Sequence, residues 1–315
     1  MRVGAVDCGT NSIRLLVTDL RDDAPPEEVV RRMEVVRLGQ GLDATGSIAP
    51  EAMARTLGMS REYARQCAEL GVERVRFVAT SASRDASNAA EFVAGVAEAF
   101  ARWQIAPEVI TGDQEAQLSF DGATGELPAR GVAGPYLVVD LGGGSTEFVR
   151  GDHGRVRAQR SVNIGCVRFH ERFGFDAPAT AGQIESATAE IDAALDVAQE
   201  AVGFDEVETL VGLAGTVTTL AAHALGLDRY DRDTIHGSVL SVQTVQAACE
   251  QLLGMTAQER AELGFMHPGR VDVIGAGALI WSRIVGRVAQ RAGLTSVVTS
   301  EHDILDGIAW SAAER

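Results

Sequence analysis

The sequence contains no lysine: all 28 of its basic side chains are arginine. That absence excludes a Walker A phosphate loop, whose lysine reaches the phosphates, and it excludes Schiff-base catalysis. Any phosphate this chain meets must be held by backbone N–H groups, hydroxyls, arginine or a metal ion. Cysteine is sparse as well. Cys8, Cys67, Cys166 and Cys249 are scattered without C-x-x-C spacing, a pattern of reduced thiols rather than of zinc ligands. The six histidines show no H-x-x-x-H or other metal spacing and read as structural. No apolar run is long enough to span a bilayer, and low-complexity tracts are absent. The chain opens directly on a strand-like run, Val3 to Val6, so no leader peptide is expected and the protein is expected in the cytoplasm, off the membrane. Trp103, Trp281 and Trp310 read as packing residues, not as a platform for stacked bases.

What is present is an ordinary globular composition, 46% hydrophobic and 23% charged, with a net charge of −16 over 315 residues. The negative field argues against a nucleic-acid coat. It would also repel a polyanionic substrate at long range, so a phosphate site here needs local arginine and a divalent cation. The length suits two domains, since single cores stop growing at about 250–300 residues. The Pro/Gly-rich piece Gly125 to Pro135 is the natural boundary, giving lobes 1–124 and 125–315, with the last helix able to pack back on the first lobe.

The chain is organised around Val138-Val139-Asp140-Leu141-Gly142-Gly143-Gly144-Ser145-Thr146-Glu147-Phe148. An apolar run, an aspartate, three glycines and a second apolar run read as strand, tight turn, strand. Successive glycines let N–H groups point one way and approach an anion closely. Ser145 and Thr146 add hydroxyls, and Asp140 and Glu147 are carboxylates suited to a metal ion beside a phosphate. Near the N-terminus, Val6-Asp7-Cys8-Gly9-Thr10-Asn11-Ser12 repeats V-D-x-G-x-x-S in the same setting. A repeat separated by more than a hundred residues is a duplicated domain, not a solenoid unit. A third glycine turn is expected at Val211-Gly212-Leu213-Ala214-Gly215-Thr216-Val217-Thr218.

The first half reads β-β-β-α-β-α-β-α. Its strands lie near Val3–Val6, Ser12–Asp19, Glu28–Leu38, Arg74–Ala79 and Pro107–Ile110, with a loop over Gly39–Gly46 and a helix opened by Pro50. The second half repeats the order, with strands near Tyr136–Asp140, Thr146–Gly151, Arg155–Val162, Glu206–Leu213 and Ser296–Thr299. Helices fill most of Gln243 to Gln290, and a final helix runs from Asp303. An α/β chain with mixed sheets covered on both faces is expected.

Arg84 follows Ala79-Thr80-Ser81-Ala82-Ser83 at a strand-to-helix junction, where a guanidinium can fork onto phosphate or pair with a nearby acid; Ser81 and Ser83 read as helix caps. Glu115 opens a helix behind Thr111 and Asp113. It reads either as a capping acid or as a general base set against a bound water. Arg168, Arg270 and His302 are further loop candidates.

Taken together these motifs resemble the exopolyphosphatase / guanosine pentaphosphate phosphohydrolase family, within the superfamily of actin-like, sugar-kinase and heat-shock ATPases. The resemblance rests on Asp7 to Leu16, Arg37-Leu38-Gly39-Gln40-Gly41, Ala79 to Asp85, Gly112 to Leu118, Asp140 to Glu147, Gly165-Cys166-Val167-Arg168 and Arg270 to Ile274. Within the family the text is most similar to the short actinobacterial type. The resemblance implies two ribonuclease-H-like lobes with the active site in the cleft between them. It implies hydrolysis of the terminal phosphoanhydride of inorganic polyphosphate or guanosine pentaphosphate with Mg²⁺, by a homodimer. The family's catalytic glutamate falls on Glu115, its metal-linked acids on Asp140 and Glu147, and its arginine on Arg84. Its phosphate loops fall on Gly9, Thr10, Asn11 and Ser12 and on Gly142, Gly143, Gly144 and Ser145, and Gly215 and Thr216 are added from the third turn. One departure is Gln114, which stands where the family has a first acid beside the catalytic one. The extra C-terminal region of longer members has no room here, so short chains are the expected substrates. Two other activities are weighed against hydrolysis: an ATP-dependent kinase or ATPase of the same fold, and a polyphosphate- or alarmone-binding protein with weak catalysis.

Overall fold

The computed structural model describes residues 1–10, 12–21, 24–40, 42–175 and 178–313. Along the chain these form β1 (Arg2–Cys8), β2 (Ser12–Arg21), β3 (Ala24–Val35), α1 (Leu42–Thr45), α2 (Pro50–Glu69), β4 (Arg74–Ala79), α3 (Ser81–Asp85), α4 (Ala89–Ala99), β5 (Glu108–Val109) and α5 (Gly112–Thr124). There follow β6 (Tyr136–Leu141), β7 (Thr146–Asp152), β8 (Arg155–Val162), α6 (Cys166–Phe173), α7 (Ala181–Val202), β9 (Thr209–Leu213), α8 (Ala214–Ala224) and α9 (Arg232–Ile235). The chain closes with β10 (Val239–Ser241), α10 (Val242–Gly254), α11 (Ala257–Glu262), α12 (Ile274–Ala292), β11 (Ser296–Thr299) and α13 (Ile304–Ala313). Two compact units result: Met1–Gly122 with Ile304–Arg315, and Ala123–Asp303. The division falls at 122/123 rather than 124/125, and the last helix belongs to the first unit.

The first unit carries a five-stranded sheet of order β3-β2-β1-β4-β5. β3, β2 and β1 are antiparallel neighbours, and β4 and β5 add in parallel. Alternation along β1 feeds two cores, because successive side chains leave opposite faces of a strand. Val6 and Cys8 enter a cluster with Tyr63 of α2, Phe77 of β4, Phe92 of α4 and Phe100 just past α4. Val3 and Ala5 enter a second cluster with Leu118 of α5 and Leu305 and Ile308 of α13. α2 begins as the sequence predicts: Ala49 is extended and Pro50, which lacks an N–H, takes the first turn where none is needed.

The second unit carries a six-stranded sheet of order β10-β11-β9-β6-β7-β8. Without β10 it repeats the first sheet: a three-stranded antiparallel meander, then two parallel strands beside its first member. Its core gathers Leu137, Val139, Leu141 and Phe148 from the sheet with Leu195 of α7, Leu220 of α8, Leu252 of α10 and Trp281 of α12. α7 starts on a capping box in which Thr180 and Gln183 exchange side-chain and backbone hydrogen bonds.

Three local expectations need correction, and one strand is missed. β3 stops at Val35, short of Leu38, and the loop after it contains α1. β10 is not foreseen, because three residues are too few to show a period of two. The strand expected over Glu206–Leu213 spans only Thr209–Leu213. What reads as a third glycine turn is a strand running directly into a helix, β9 into α8, with Ala214 in the left-handed region at φ 69° as the pivot.

Candidate active site

The glycine turn of the second unit is built from outside. Its N–H at Gly142 donates to the Ser145 carbonyl at 3.0 Å, which closes the turn. The first N–H groups of α6 then hold the turn's carbonyls: Cys166 donates to Gly142 O at 3.1 Å, and Val167 and Arg168 donate to Gly143 O at 2.9 and 3.0 Å. Arg168 adds its Nε to Gly144 O at 2.6 Å. In a trans peptide the N–H lies opposite its own C=O, and among the described residues only Gly134–Pro135 is cis. The N–H groups of Gly143, Gly144 and Ser145 therefore all face away from α6. Three adjacent donors on one side form a nest for an anion. Gly165 must be glycine for this to happen: a Cβ there would lie 2.4 Å from the Gly143 oxygen and 2.5 Å from the Gly144 carbonyl carbon.

The matched turn of the first unit repeats the construction. Gly9 N–H donates to Ser12 O at 2.9 Å, and Gly39 N–H donates to Thr10 O at 2.9 Å, as Val167 does to Gly143. This explains why the loop from Arg37 travels with the first motif. Thr10 is exposed and Gly9 and Ser12 are half-buried; Asn11 and Gly41 lie outside the described residues.

At one position the two hairpins have diverged. Asp7 pairs in register with Arg14, and Asp140 in register with Glu147. In the first unit Arg14 donates to Asp7 Oδ2 from Nε at 2.9 Å and from Nη2 at 2.7 Å. In the second unit two carboxylates face each other on one side of the sheet, an arrangement that repels unless a cation is shared. Glu147 Oε1 accepts from Ser145 Oγ at 2.6 Å and from Ser161 Oγ at 2.8 Å, which fixes its orientation. Ser145 therefore spends its hydroxyl proton on Glu147 and offers an anion its N–H. Thr146 is a correction: it is fully buried, and its hydroxyl donates to Ile164 O, tying the segment before α6 to β7.

Around α5 the two readings of Glu115 separate. Gln114, not Glu115, completes the capping box: Gln114 Oε1 accepts from Thr111 N–H at 3.0 Å and Gln114 N–H donates to Thr111 Oγ1 at 3.2 Å. The residue that departs from the family pattern thus carries the cap. Glu115 is left to face Arg84, with Oε2 4.0 Å from Nη1, while that Nη1 donates to Ile110 O at 2.7 Å. The helix-cap reading of Ser83 fails: the cap position of α3 is Thr80, without a side-chain cap bond, and the Ser83 hydroxyl is buried with no partner among the described residues.

Gly215 and Thr216 sit at the start of α8 and play different parts. A Cβ on Gly215 would lie 2.3 Å from Arg270 Nη2, so the glycine makes room for that guanidinium. Arg270 Nη1 donates to Thr219 Oγ1 at 3.0 Å. Thr216 is buried, with its side chain against Gly277 of α12 and hydrogen-bonded to Cys166. Burial raises the Cys166 thiol above its ordinary range, so it serves as packing between α6 and α8. Arg168 and Arg270 are not on loops as expected: Arg168 lies in the first turn of α6 and braces the glycine turn, and Arg270 ends a short 3-10 turn and reaches Thr219. Only the structure shows the guanidinium groups approaching Gly144 and Gly215, residues far from them in sequence.

The two units thus carry α/β sheets of the same order, β10 aside, each with a matched glycine turn. The chain belongs to the Ppx/GppA phosphatase family, whose model matches residues 16–312, and it is an enzyme of that family, as the motifs imply. It is 47% identical over 99% of its length to 98% of exopolyphosphatase 2 of Mycobacterium tuberculosis. It is similar to the crystal structure of the Aquifex aeolicus Ppx/GppA phosphatase, with TM-score 0.83 and 29% identity over 99% of each chain. A guanosine-5'-triphosphate,3'-diphosphate pyrophosphatase of Aeromonas hydrophila is 31% identical over 73% of this chain and 45% of its own length. Among the described residues no helix is long and apolar enough to cross a membrane.

Proposed function

We propose that the protein is an exopolyphosphatase that removes the terminal phosphate of inorganic polyphosphate, with short chains as its preferred substrates. The observation that carries this reading is the pinned glycine turn, whose N–H groups at Gly143, Gly144 and Ser145 suit a phosphate and need no lysine. The relationship to exopolyphosphatase 2 of Mycobacterium tuberculosis supports the choice of substrate. In the second unit the nest binds phosphoryl oxygens. In the first, Arg84 neutralises charge and Glu115 orients a water. The water oxygen attacks the terminal phosphorus in line, its proton passes to Glu115, and the bridging P–O bond breaks. Orthophosphate leaves with the polymer one unit shorter. Asp140 and Glu147, an all-oxygen pair of like charge, fit Mg²⁺ and would hold it; when bound, it supplies positive charge to the phosphate oxygens.

Guanosine pentaphosphate is the second reading, favoured by the Aeromonas relative, because it presents the same terminal anhydride. The deciding measurement is phosphate release with Mg²⁺ from short polyphosphate, long polyphosphate, guanosine pentaphosphate and ATP, wild type beside Glu115→Gln. Short polyphosphate should be cleaved fastest, and the variant should lose roughly 10²–10⁴-fold in turnover while still binding the ligand. An active Glu115→Gln enzyme would remove Glu115 from the mechanism. Tight binding without turnover in the wild type would make the protein a sensor.

A further inference from the structure

Histidines that look unrelated in sequence meet in the second unit. Glu126, just past α5, His236, just past α9, and His302, just before α13, place one donor atom each within 4.8 Å of one another. His236 Nε2 is 3.4 Å from Glu126 Oε2, and His302 Nδ1 is 3.9 Å from Glu126 Oε1. The imidazoles stack 3.9 Å apart at 33°, closer than the roughly 5 Å between rings on one tetrahedral ion with bonds of about 2.0–2.1 Å, so loading must splay them. His236 Nε2 makes a weak hydrogen bond to Glu126 Oε2 at 3.4 Å, long beside the usual value of about 2.9 Å. The His236 separation matches the edge of a tetrahedron with metal–ligand distances of about 2.0–2.1 Å, roughly 3.3–3.4 Å; the His302 separation runs to the other carboxylate oxygen and must close when a cation is loaded.

We propose that Glu126, His236 and His302 bind a d-block divalent cation of the zinc class. Two imidazoles and one carboxylate are the donor set of an open tetrahedral zinc site, and the nitrogens disfavour Mg²⁺ and Ca²⁺, which prefer oxygen. The site is separate from Asp140 and Glu147 in its ligands and in the ion it selects. All three groups are half-buried. Glu126 is three residues past the start of the second unit and His302 is one before its end, so the cation acts as a clasp on the unit's two ends. Besides the hydrogen bond between His236 Nε2 and Glu126, further contacts compete with it. Arg130 Nη2 lies 3.3 Å from Glu126 Oε2, and Glu301 N–H donates to His236 Nδ1 at 3.2 Å. Metal at Nε2 moves the ring proton to Nδ1, so loading must release the Glu301 N–H, and proton competition makes binding strengthen with rising pH.

The test uses Co²⁺ titrated into full-length, chelator-treated protein. One equivalent should enter with the intense visible absorption of a four-coordinate centre. Glu126→Gln, His236→Gln and His302→Gln should each weaken it by more than about tenfold, whereas Glu147→Gln should leave it unchanged. Weak, octahedral-type absorption, or a band that survives all three substitutions, overturns the proposal. Should a variant lose its cooperative melt, X-ray absorption of the wild type carrying one equivalent of Zn²⁺ decides. A shell with two imidazole nitrogens supports the site; sulfur, or oxygen alone, overturns it.

Discussion

Glu126 shows how one side chain reports its surroundings. The hydrogen bond from His236 is the main cause that lowers its carboxyl to about 2, helped by the charges of His302 and Arg130 and opposed by burial. The folded protein therefore holds this proton less well than the unfolded chain. The resulting stabilisation is present above the unfolded value of 4.5 and is lost as pH falls from there through about 2. Melting temperatures of wild type and Glu126→Gln in chelator should differ near neutral pH and converge on acidification. Convergence on raising the pH instead would contradict the assignment. The neighbouring histidines read as structural from their spacing alone, because sequence spacing detects only ligands that share one helix or one loop.

Helix α6 is the element on which the glycine turn of the second unit depends. Most helix N-termini leave their first N–H groups free for an anion; here those of Cys166, Val167 and Arg168 are spent on Gly142 and Gly143 carbonyls, so the proposed phosphate contact falls to the turn instead. Gly165→Ala should push the helix off the turn, since the clashing atoms are backbone. We expect phosphate affinity to fall at least about tenfold while the far-UV circular dichroism stays near wild type, because the core does not depend on this contact. Undiminished phosphate binding, measured by calorimetry, would show that the turn does not need α6. The G-C-V-R run was visible as a motif, but nothing in it showed that its N–H groups face a turn more than twenty residues earlier. The capping box at Thr111 and Gln114 was, by contrast, within reach of spacing: T-x-x-Q ahead of an apolar run signals it.

For the whole molecule the decisive segment is α13, which follows the last strand of the second unit and completes the first. Ile304, Leu305 and Ile308 are buried with Val3, Ala5, Leu16 and Val78, and Arg31 Nη2 meets the buried Asp306 Oδ1 at 2.5 Å. Three large apolar side chains at about 1.5–3 kcal/mol each, with a part-buried ion pair besides, rival the roughly 5–15 kcal/mol that keeps a domain folded. A chain ending at Asp303 should therefore lose the cooperative melt of the first unit and bind a hydrophobic dye. A native-like first unit in that truncation would show α13 to be dispensable.

Local chemistry determined a good deal of this protein from sequence alone. Period-two runs marked the meander strands, Pro50 marked a helix start, and the V-D-x-G-x-x-S repeat marked a duplicated α/β fold, because each is a property of neighbours along the chain. Tertiary structure decided what distant residues do to one another. It gave Asp7 an arginine and Asp140 a second acid, put the cap of α5 on Gln114 and left Glu115 beside Arg84. It also brought His236 and His302 to Glu126. Those outcomes depend on register and packing across the sheets, where a residue's neighbour in space can be more than a hundred positions away in sequence.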